Sequence, residues 1–348
     1  MNTSVTAGKP GASSVEPSQT GGGASPLHRR LVGSPALRVA GRRLLIAIPV
    51  LWGVTFLTFI VLNALPGDAA SALLGANATP AEIRAETIKL HLNEPLLVRY
   101  WNWLSGALHG DLGTSLYYNQ PVTSILTQRL PVTLELVVYA LVITFVVSVP
   151  LAIFSARRPR GVVDRTSMVF SMASLSVAPY VLALLLILVF AVNLQWFPAL
   201  AQGTGGDIRD LTLPAITLAI PLIGFYVRFL RADLLEQMSE DYTVTALAKG
   251  LSRWKVLSRH ALRNSFIGLV TVIGLNLATL IGATVIVEQI FGLSGIGWEL
   301  LRAINNRDVP LVEGVVLVFA TIVVLANLAT DLTYDVLDPR IRHGRSRS

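Results

Sequence analysis

The polar residues that could carry chemistry in this 348-residue sequence do not form a catalytic pattern. The histidines lack the spacing of metal ligands, and no serine stands in the G-x-S-x-G turn that exposes a nucleophile. No G-x-x-x-x-G-K-[ST] loop is present to hold ATP phosphates, so energy must come from a partner or an ion gradient. The absence of cysteine excludes disulfides and thiolate chemistry. The histidines are His28, His91, His109, His260 and His343.

Polar and small residues inside apolar segments are the remaining candidates, because an ionisable group at membrane depth is a functional hypothesis by default. Glu135 and Glu288 lie near segment ends, where they border either a solute path or the membrane interface. We expect Asn276, near mid-segment, to hydrogen-bond across helices. Small residues repeat every four positions around it and predict close helix packing, or alternatively part of a path lining. These are Gly274, Ala278 and Gly282.

Six apolar segments position these residues. Each has about the 20 residues needed to cross a hydrocarbon core, and a backbone in lipid must pair its polar groups internally. Charged residues make up 14% of the chain, against about 25% in soluble domains. The sequence therefore predicts an all-α polytopic membrane protein with six transmembrane helices, in which internal prolines are tolerated as kinks. The segments span 44–65, 132–156, 168–192, 211–229, 266–290 and 311–332, and the prolines are Pro49, Pro150, Pro214 and Pro221.

The distribution of positive charge predicts the orientation. Lys and Arg are concentrated in alternate connections, which places both termini in the cytoplasm. The net charge of +7 is thus spread over loops, unlike the single basic face of a nucleic-acid-binding protein. Arg228 and Arg231, at the end of the fourth segment, are interpreted as ordinary anchors of this kind.

The predicted domains follow from these segments. Residues 1–37 are rich in Gly, Ser, Thr and Pro, a composition typical of a disordered tail. A transmembrane domain covers 38–342, and a basic tail covers 343–348. A small external element is expected over about 66–130. Within it, Thr79 as N-cap, Pro80 at the first helical position and Glu82 two residues later predict the start of a helix.

The connection at about 232–264 is too long and too patterned for a simple turn. Two short helical stretches flank Gly250, which permits the left-handed conformation that ends a helix. The second stretch is amphipathic, with Trp254, Leu257 and Ala261 opposite basic residues. We call residues Asp241–Ala261 the knuckle. It is interpreted either as a rigid lever for a soluble partner or as a basic helix lying on anionic lipid.

The stretch TALAKGLSRWKVLSRHALRNS resembles the coupling loop of binding-protein-dependent ABC-importer permeases, in the dipeptide/oligopeptide/nickel branch and its dipeptide permease B-type subunit. Val244 departs from the general family pattern, where Glu is usual. In the external loop after the fifth segment, Leu293 and Ser294 stand where Trp-Pro is common in the family. The resemblance covers nearly everything after about Arg38. Further similar segments are RRLLIAIPVLWGVTFLTFIVLNALPGD, GDLGTS, PVTSILTQRLPVTLEL, IFGLSGIGWEL and DPRIR.

The resemblance implies a non-catalytic subunit of an ATP-driven importer in the plasma membrane. A second homologous permease would pair with this chain, two ABC ATPase subunits would bind ATP and Mg²⁺, and an extracytoplasmic solute-binding protein would deliver cargo. No cofactor would bind this chain, and its only other partner would be membrane lipid, with no nucleic acid. It further implies that the ATPase-coupling residues are Asp241, Thr245, Ala246, Lys249, Gly250, Leu251, Arg259 and His260.

Several alternatives stay open. The expected cargo is a dipeptide or oligopeptide, but nickel chelates, haem or another small solute fit the same architecture. A secondary transporter would show inverted repeats and broken helices with intramembrane charges, which the six segments do not display. An intramembrane enzyme would need paired acids or histidines within the spans, and the sequence has none.

Overall fold

The computed structural model describes residues 35–64, 71, 74, 78–89, 93–201 and 207–337, and these ranges are predominantly helical. Of the predicted tail 1–37, only residues 35–37 are described, as the start of the first helix; the tail 343–348 and the DPRIR motif lie outside the described residues. The helices are α1 (Pro35–Ala64), α2 (Pro80–Lys89), α3 (Leu96–Leu108), α4 (Val122–Arg157), α5 (Val162–Ser176), α6 (Pro179–Leu186), α7 (Ile208–Gln237), α8 (Asp241–Ala248), α9 (Arg253–Lys255), α10 (Leu262–Phe291), α11 (Ile296–Asn305) and α12 (Val309–Leu337).

Five stretches of the described chain are long and apolar enough to cross a membrane, and a bent pair of helices makes a sixth if it counts as one span. The five lie in α1, α4, α7, the run Arg253–Phe291, and α12. Of these, α7 is central, because 61% of its most apolar window is buried, against 17% for α1. Side chains of α4, α6, α7 and α10 form an apolar core that includes Leu136, Leu218 and Phe291. The prediction of a helical, multi-pass membrane protein is confirmed.

The third predicted segment is not one continuous helix. Helices α5 and α6 meet at an angle of 106°, and α6 continues into a π-helical turn, Ile187–Asn193. The break falls at Pro179, which has no N–H to donate and disfavours the helical conformation of the residue before it. Ala178 is accordingly extended, with ψ 139°. The prolines singled out from the sequence lie inside continuous helices instead: Pro49, Pro150, Pro214 and Pro221.

Helix α4 begins ten residues before the apolar segment that predicted it, inside the expected external element. Its first turns bury Val122 and Ile125 against Leu311 and Val315 of α12. This first part of α4 includes Thr, Ser, Gln and Arg among its apolar residues, so its mean hydropathy does not mark it as part of a membrane span. The same region contains the predicted helix start, because the Thr79 amide donates to Glu82 Oε2 at 2.8 Å. These hydrogen bonds lower the pKa of Glu82.

The end of the bundle where α4 begins is held together by buried carboxylates. Asp308 accepts hydrogen bonds from Ser115 Oγ at 2.5 Å and from the amides of Leu116 and Leu311 at 3.1 and 3.3 Å. This arrangement fastens the turn before α4 to the start of α12. We call this the loop end; the knuckle lies at the other end of α4.

A second carboxylate at the loop end, Glu299 of α11, bonds to two partners. It accepts from the Tyr118 hydroxyl at 3.0 Å and pairs with Arg129 of α4 at 3.2 Å. Burial, followed by the charge of Glu299, raises the pKa of Tyr118 to about 12, so its hydroxyl stays protonated and donates. The Arg302 guanidinium lies 4.5 Å from the ring centre of Trp298. These contacts fix α11 across the ends of the long helices.

Candidate functional site

The knuckle starts directly after α7 and turns at a glycine. Thr243 Oγ1 lies 3.0 Å from the carbonyl oxygen of Gln237 and 2.7 Å from that of Glu240, which ties α8 to the end of α7. Gly250 has φ +84°, the left-handed conformation predicted from the sequence. The amide of Gly250 donates to the Leu247 carbonyl at 2.9 Å, and this turn closes α8.

The stretch after Gly250 is anchored to the membrane helices. Val256, Leu257 and Ala261 are buried, and the last two pack against Ala156 of α4 and Leu234 of α7. Residues Val256–Ala261 form a π-helical turn, a rare conformation that often occurs at functional sites. A displacement of the knuckle would therefore act on the ends of two membrane helices.

Trp254 lies at the edge of this anchor. Its ring stacks on Phe154 of α4, with centroids 6.1 Å apart, and the Arg157 guanidinium is 5.1 Å from its centre. It remains 42% exposed, so the predicted apolar face is buried at Leu257 and Ala261 but only partly at Trp254. Thr243 and Val256 are not among the residues predicted from the sequence, although Val256 continues the apolar pattern of its neighbours.

The predicted coupling residues divide between an exposed surface and one buried position. Ala246 is 8% exposed and faces the body of the protein, and Leu251 is half-buried. The others face outward: Asp241, Thr245, Lys249, Gly250, Arg259 and His260. The knuckle thus has one anchored face and one free face.

An ion pair beside the knuckle overturns the interpretation of Arg231 as an ordinary anchor. Its Nε and Nη2 atoms both bond to Asp164 of α5, the latter at 2.8 Å. The same carboxylate accepts from Ser155 Oγ of α4 at 2.6 Å and from the Arg160 amide at 2.7 Å. Three helices therefore meet at one buried carboxylate. No local pattern in the sequence indicates the partner, which lies 67 positions away.

We expect Asp164→Asn to lower the free energy of unfolding by about 2–3 kcal/mol, because removing one partner strands a largely desolvated charge. The matched control is Asp331→Asn, which breaks the exposed pair with Arg43; such pairs contribute about 0–1 kcal/mol. Denaturant unfolding of both variants in the same detergent measures the difference. An equal decrease in the free energy of unfolding in the two variants would show that the Asp164 contacts stabilise the protein no more than an exposed ion pair does.

Glu288 is fully buried, and both of its oxygens have partners. Thr133 Oγ1 of α4 donates to Oε1 at 2.7 Å, and the Trp298 amide donates to Oε2 at 2.9 Å. Thr133 in turn accepts from the Ile296 amide at 2.9 Å. Because these amides belong to the first turn of α11, the carboxyl group joins α4, α10 and α11. Glu135, by contrast, is exposed.

The small residues of α10 face different surroundings. Gly274 is buried so closely against Thr330 of α12 that an added Cβ would overlap its side chain. Ala278 and Gly282 are exposed, and a Cβ at Gly282 would meet nothing within 4 Å. Asn276 donates to the Val272 carbonyl of its own helix at 2.9 Å. The predicted stripe is therefore divided into a packed part and an open part.

Within the described ranges, no group of three or more His, Asp or Glu side chains could hold a metal ion. The arrangement can transmit a displacement. The small exposed helix α8 ends at a left-handed glycine, and the stretch that follows is joined through buried side chains to α4 and α7.

Comparison with known families covers most of the chain. Residues 148–343 match the family described as the binding-protein-dependent transport system inner membrane component. Residues 36–137 match the N-terminal family of the same transport-system membrane component.

Individual relatives extend over nearly the same range. "Probable peptide ABC transporter permease protein y4tP" of Sinorhizobium fredii is 38% identical, covering 87% of this chain and 98% of its own. "Oligopeptide transport system permease protein AppB" of Bacillus subtilis is 34% identical over 87% of this chain and 98% of its own. "Dipeptide transport system permease protein DppB" of Alkalihalophilus pseudofirmus is 35% identical over 88% of this chain and 100% of its own.

A solved structure shows a similar fold. A chain of the MetNI methionine ABC transporter in an inward-facing conformation superposes with a TM-score of 0.50 at 17% identity, covering 62% of this chain and 96% of that one. At this identity the likeness concerns the fold alone. Family match, relatives and fold agree, and the chain belongs to the family of binding-protein-dependent transport system inner membrane components.

Proposed function

We propose that this chain is a permease subunit of an ATP-driven importer of dipeptides or oligopeptides. It would form the translocation path with a second, homologous permease. Two ABC ATPase subunits would supply the energy, with ATP and Mg²⁺ bound only to them. A solute-binding protein on the external side would deliver the cargo. The supporting relatives are named as peptide, oligopeptide and dipeptide permeases.

The observation that carries the coupling role is the anchored knuckle. Its exposed face offers a partner Thr245 and Lys249, while Leu257 and Ala261 connect it to α4 and α7. In the proposed mechanism, ATP binding closes the ATPase pair and draws two such knuckles together. The long helices tilt, the path opens toward the loaded binding protein, and hydrolysis resets the assembly. This chain itself catalyses no reaction.

The proposed orientation has six spans, with α5 and α6 together forming the third, and with both termini and the knuckle in the cytoplasm. Two features support it. Lys and Arg are concentrated in the connections that this orientation makes cytoplasmic. Arg43 of α1 and Asp331 near the end of α12 pair at 2.9 Å, so the two ends of the described chain lie on one side. The external element would then span about 66–130, including the first turns of α4, and the coupling loop about 232–264, including the end of α7.

Two roles in this scheme concern α10. The open small face at Ala278 and Gly282 would pack against the second permease, whereas Gly274 serves packing within the chain. Glu288 would hold helices together and would not line the path, whereas Asn276, whose hydrogen bond stays within α10, remains a candidate for helix packing or for the path lining. Support comes from the exposure of the first pair and from the hydrogen bonds of Glu288. The tail 1–37 has no assigned role.

Site-specific cross-linking tests the coupling role, because the chain has no cysteine and any single cysteine is unique. Thr245→Cys, exposed on α8, is expected to form a cross-link to an ATP-binding subunit in native membranes. Thr127→Cys, exposed near the loop end, is the matched control and should form none. If Thr245→Cys captures no ATP-binding chain in a transport-competent membrane, the lever proposal is wrong.

Transport assays test the cargo. Proteoliposomes that contain the purified assembly and its binding protein should accumulate labelled dipeptide or oligopeptide only with ATP at the knuckle side. Nickel chelates and haem serve as competing cargoes. ATP-dependent uptake of one of these, without uptake of peptides, would retain the permease proposal and replace its substrate. Uptake driven by an ion gradient alone would favour a secondary transporter.

A further inference from the structure

A basic cleft lies between the end of α4 and the knuckle. It has a volume of about 190 Å³ and is lined by Arg157, Arg158, Arg253, Trp254 and Leu257. Three arginines therefore line one cleft, and no carboxylate lines it. In the part of the chain that the structure describes, none of the three forms an ion pair, in contrast to Arg231 nearby. The cleft has an excess of positive charge that its own walls do not neutralise.

The position of the cleft along the bundle indicates what could neutralise it. Arg157 is the last residue of α4, which is long and apolar enough to span the membrane. Phe154, one turn earlier, is 50% exposed, and Val163 at the start of α5 is 46% exposed. Exposed apolar side chains of α4 and α5 thus flank the arginines, and Trp254 lies beside them. Aromatic and basic residues concentrate at this level, where lipid headgroups meet the hydrocarbon.

We propose that this cleft binds the phosphate-bearing headgroup of an anionic phospholipid. Arg158 and Arg253 would contact the phosphate, Arg157 would remain stacked on Trp254, and the acyl chains would run along Phe154 and Val163. Basic pockets at the cytoplasmic ends of membrane helices bind such headgroups. An acidic surface of a partner protein would satisfy the arginines equally well, but it would not account for the exposed apolar side chains on the membrane side of the cleft.

The consequence concerns the knuckle. A lipid in this cleft would join α4, through Arg158, to the stretch that follows Gly250, through Arg253. It would brace the knuckle against the helices on which it acts. The assignment of this lipid to the cytoplasmic leaflet rests on the proposed orientation. The binding of the lipid does not depend on any ATPase subunit.

The experiment measures lipids retained by the purified full-length chain. The chain in neutral detergent is titrated with phosphatidylglycerol or with phosphatidylcholine of the same acyl chains, and bound lipid is counted by native mass spectrometry. Wild type is compared with Arg158→Gln/Arg253→Gln, with the corresponding double Lys variant, and with Arg165→Gln, an exposed arginine outside the cleft. We expect phosphatidylglycerol to be retained preferentially, and the double Gln variant to bind it roughly thirtyfold more weakly because two surface charges are lost.

The other variants and a competition with phosphate distinguish lipid binding from the binding of a free anion. The double Lys variant keeps the charge and should retain most of the binding, which shows that substitution at these two positions does not by itself destroy the cleft. Inorganic phosphate at millimolar concentration should not displace the lipid; complete displacement would identify a free-anion site and overturn the proposal. Equal retention by the double Gln variant and by Arg165→Gln, or equal retention of both lipids, would also overturn it. Failure here, with successful cross-linking at Thr245→Cys, leaves the proposed function intact.

Discussion

Gly250→Pro should abolish ATP-dependent import while leaving the chain in the membrane. Proline fixes φ near −65°, whereas Gly250 has φ +84°, so the turn between the two parts of the knuckle cannot form as it stands. The substitution also removes the amide that donates to the Leu247 carbonyl. Loss of a typical coupling free energy corresponds to roughly a 5- to 150-fold change, so we expect import to fall at least about fivefold, and to background where the coupling is lost entirely.

The structure supplies a control at the same position. An added Cβ at Gly250 would meet nothing within 4 Å, so backbone conformation alone decides the outcome. Asparagine tolerates the left-handed conformation, and Gly250→Asn should retain most of the transport. Valine does not, and Gly250→Val should resemble the proline variant. A graded series Asn, Val, Pro would separate conformation from size.

The measurement is peptide uptake and ATP hydrolysis in proteoliposomes that contain the complete assembly. We expect hydrolysis to continue while uptake is lost, since the ATPase subunits remain intact. Ala246→Glu should have the same effect, because it places a charged group at the buried face of α8. Normal uptake by Gly250→Pro, with the variant present in normal amount, would show that the knuckle is not a lever.

The knuckle could be read from the sequence because its signals are local. A glycine that ends a short helix, and apolar residues on one face of the next stretch, can be recognised without knowing any contact to distant residues. The helix start at Thr79 was predicted for the same reason, since both capping partners lie within three residues. The long helices could also be predicted from the sequence, because the thickness of the membrane sets the length of their apolar segments.

What the sequence missed depends on contacts between distant residues. Asp164 and Arg231 are 67 positions apart, and Thr133 and Glu288 are 155 apart, so neither pairing has a local signal. The break at Pro179 is different, because proline was a visible signal. Proline is tolerated inside α4 and α7, and only the surrounding packing distinguishes a kinked helix from a broken one. The broken span also removes one argument against a secondary transporter, so the assignment to an importer rests on the family match.

Glu288→Ala should destabilise the protein more than any other single substitution considered. It leaves the Trp298 amide and the Thr133 hydroxyl without their buried acceptor and opens a cavity between α4, α10 and α11. An unsatisfied buried group costs about 1–3 kcal/mol, so two such groups together predict a loss of about 3 kcal/mol or more. Thermal unfolding in detergent, together with the amount of folded protein recovered from membranes, measures this loss.

The controls distinguish the hydrogen bonds from the volume of the side chain. Glu288→Gln keeps the shape and one acceptor oxygen, and should cost about 1–2 kcal/mol because one donor still lacks a partner. Glu135→Gln, on the exposed face of α4, should have almost no effect. In a double-mutant cycle, Thr133→Val and Glu288→Gln should be strongly non-additive, since the Thr133 hydroxyl donates directly to the Glu288 carboxylate. Additive losses would mean that the two side chains contribute separately and that α11 is held by its apolar packing instead.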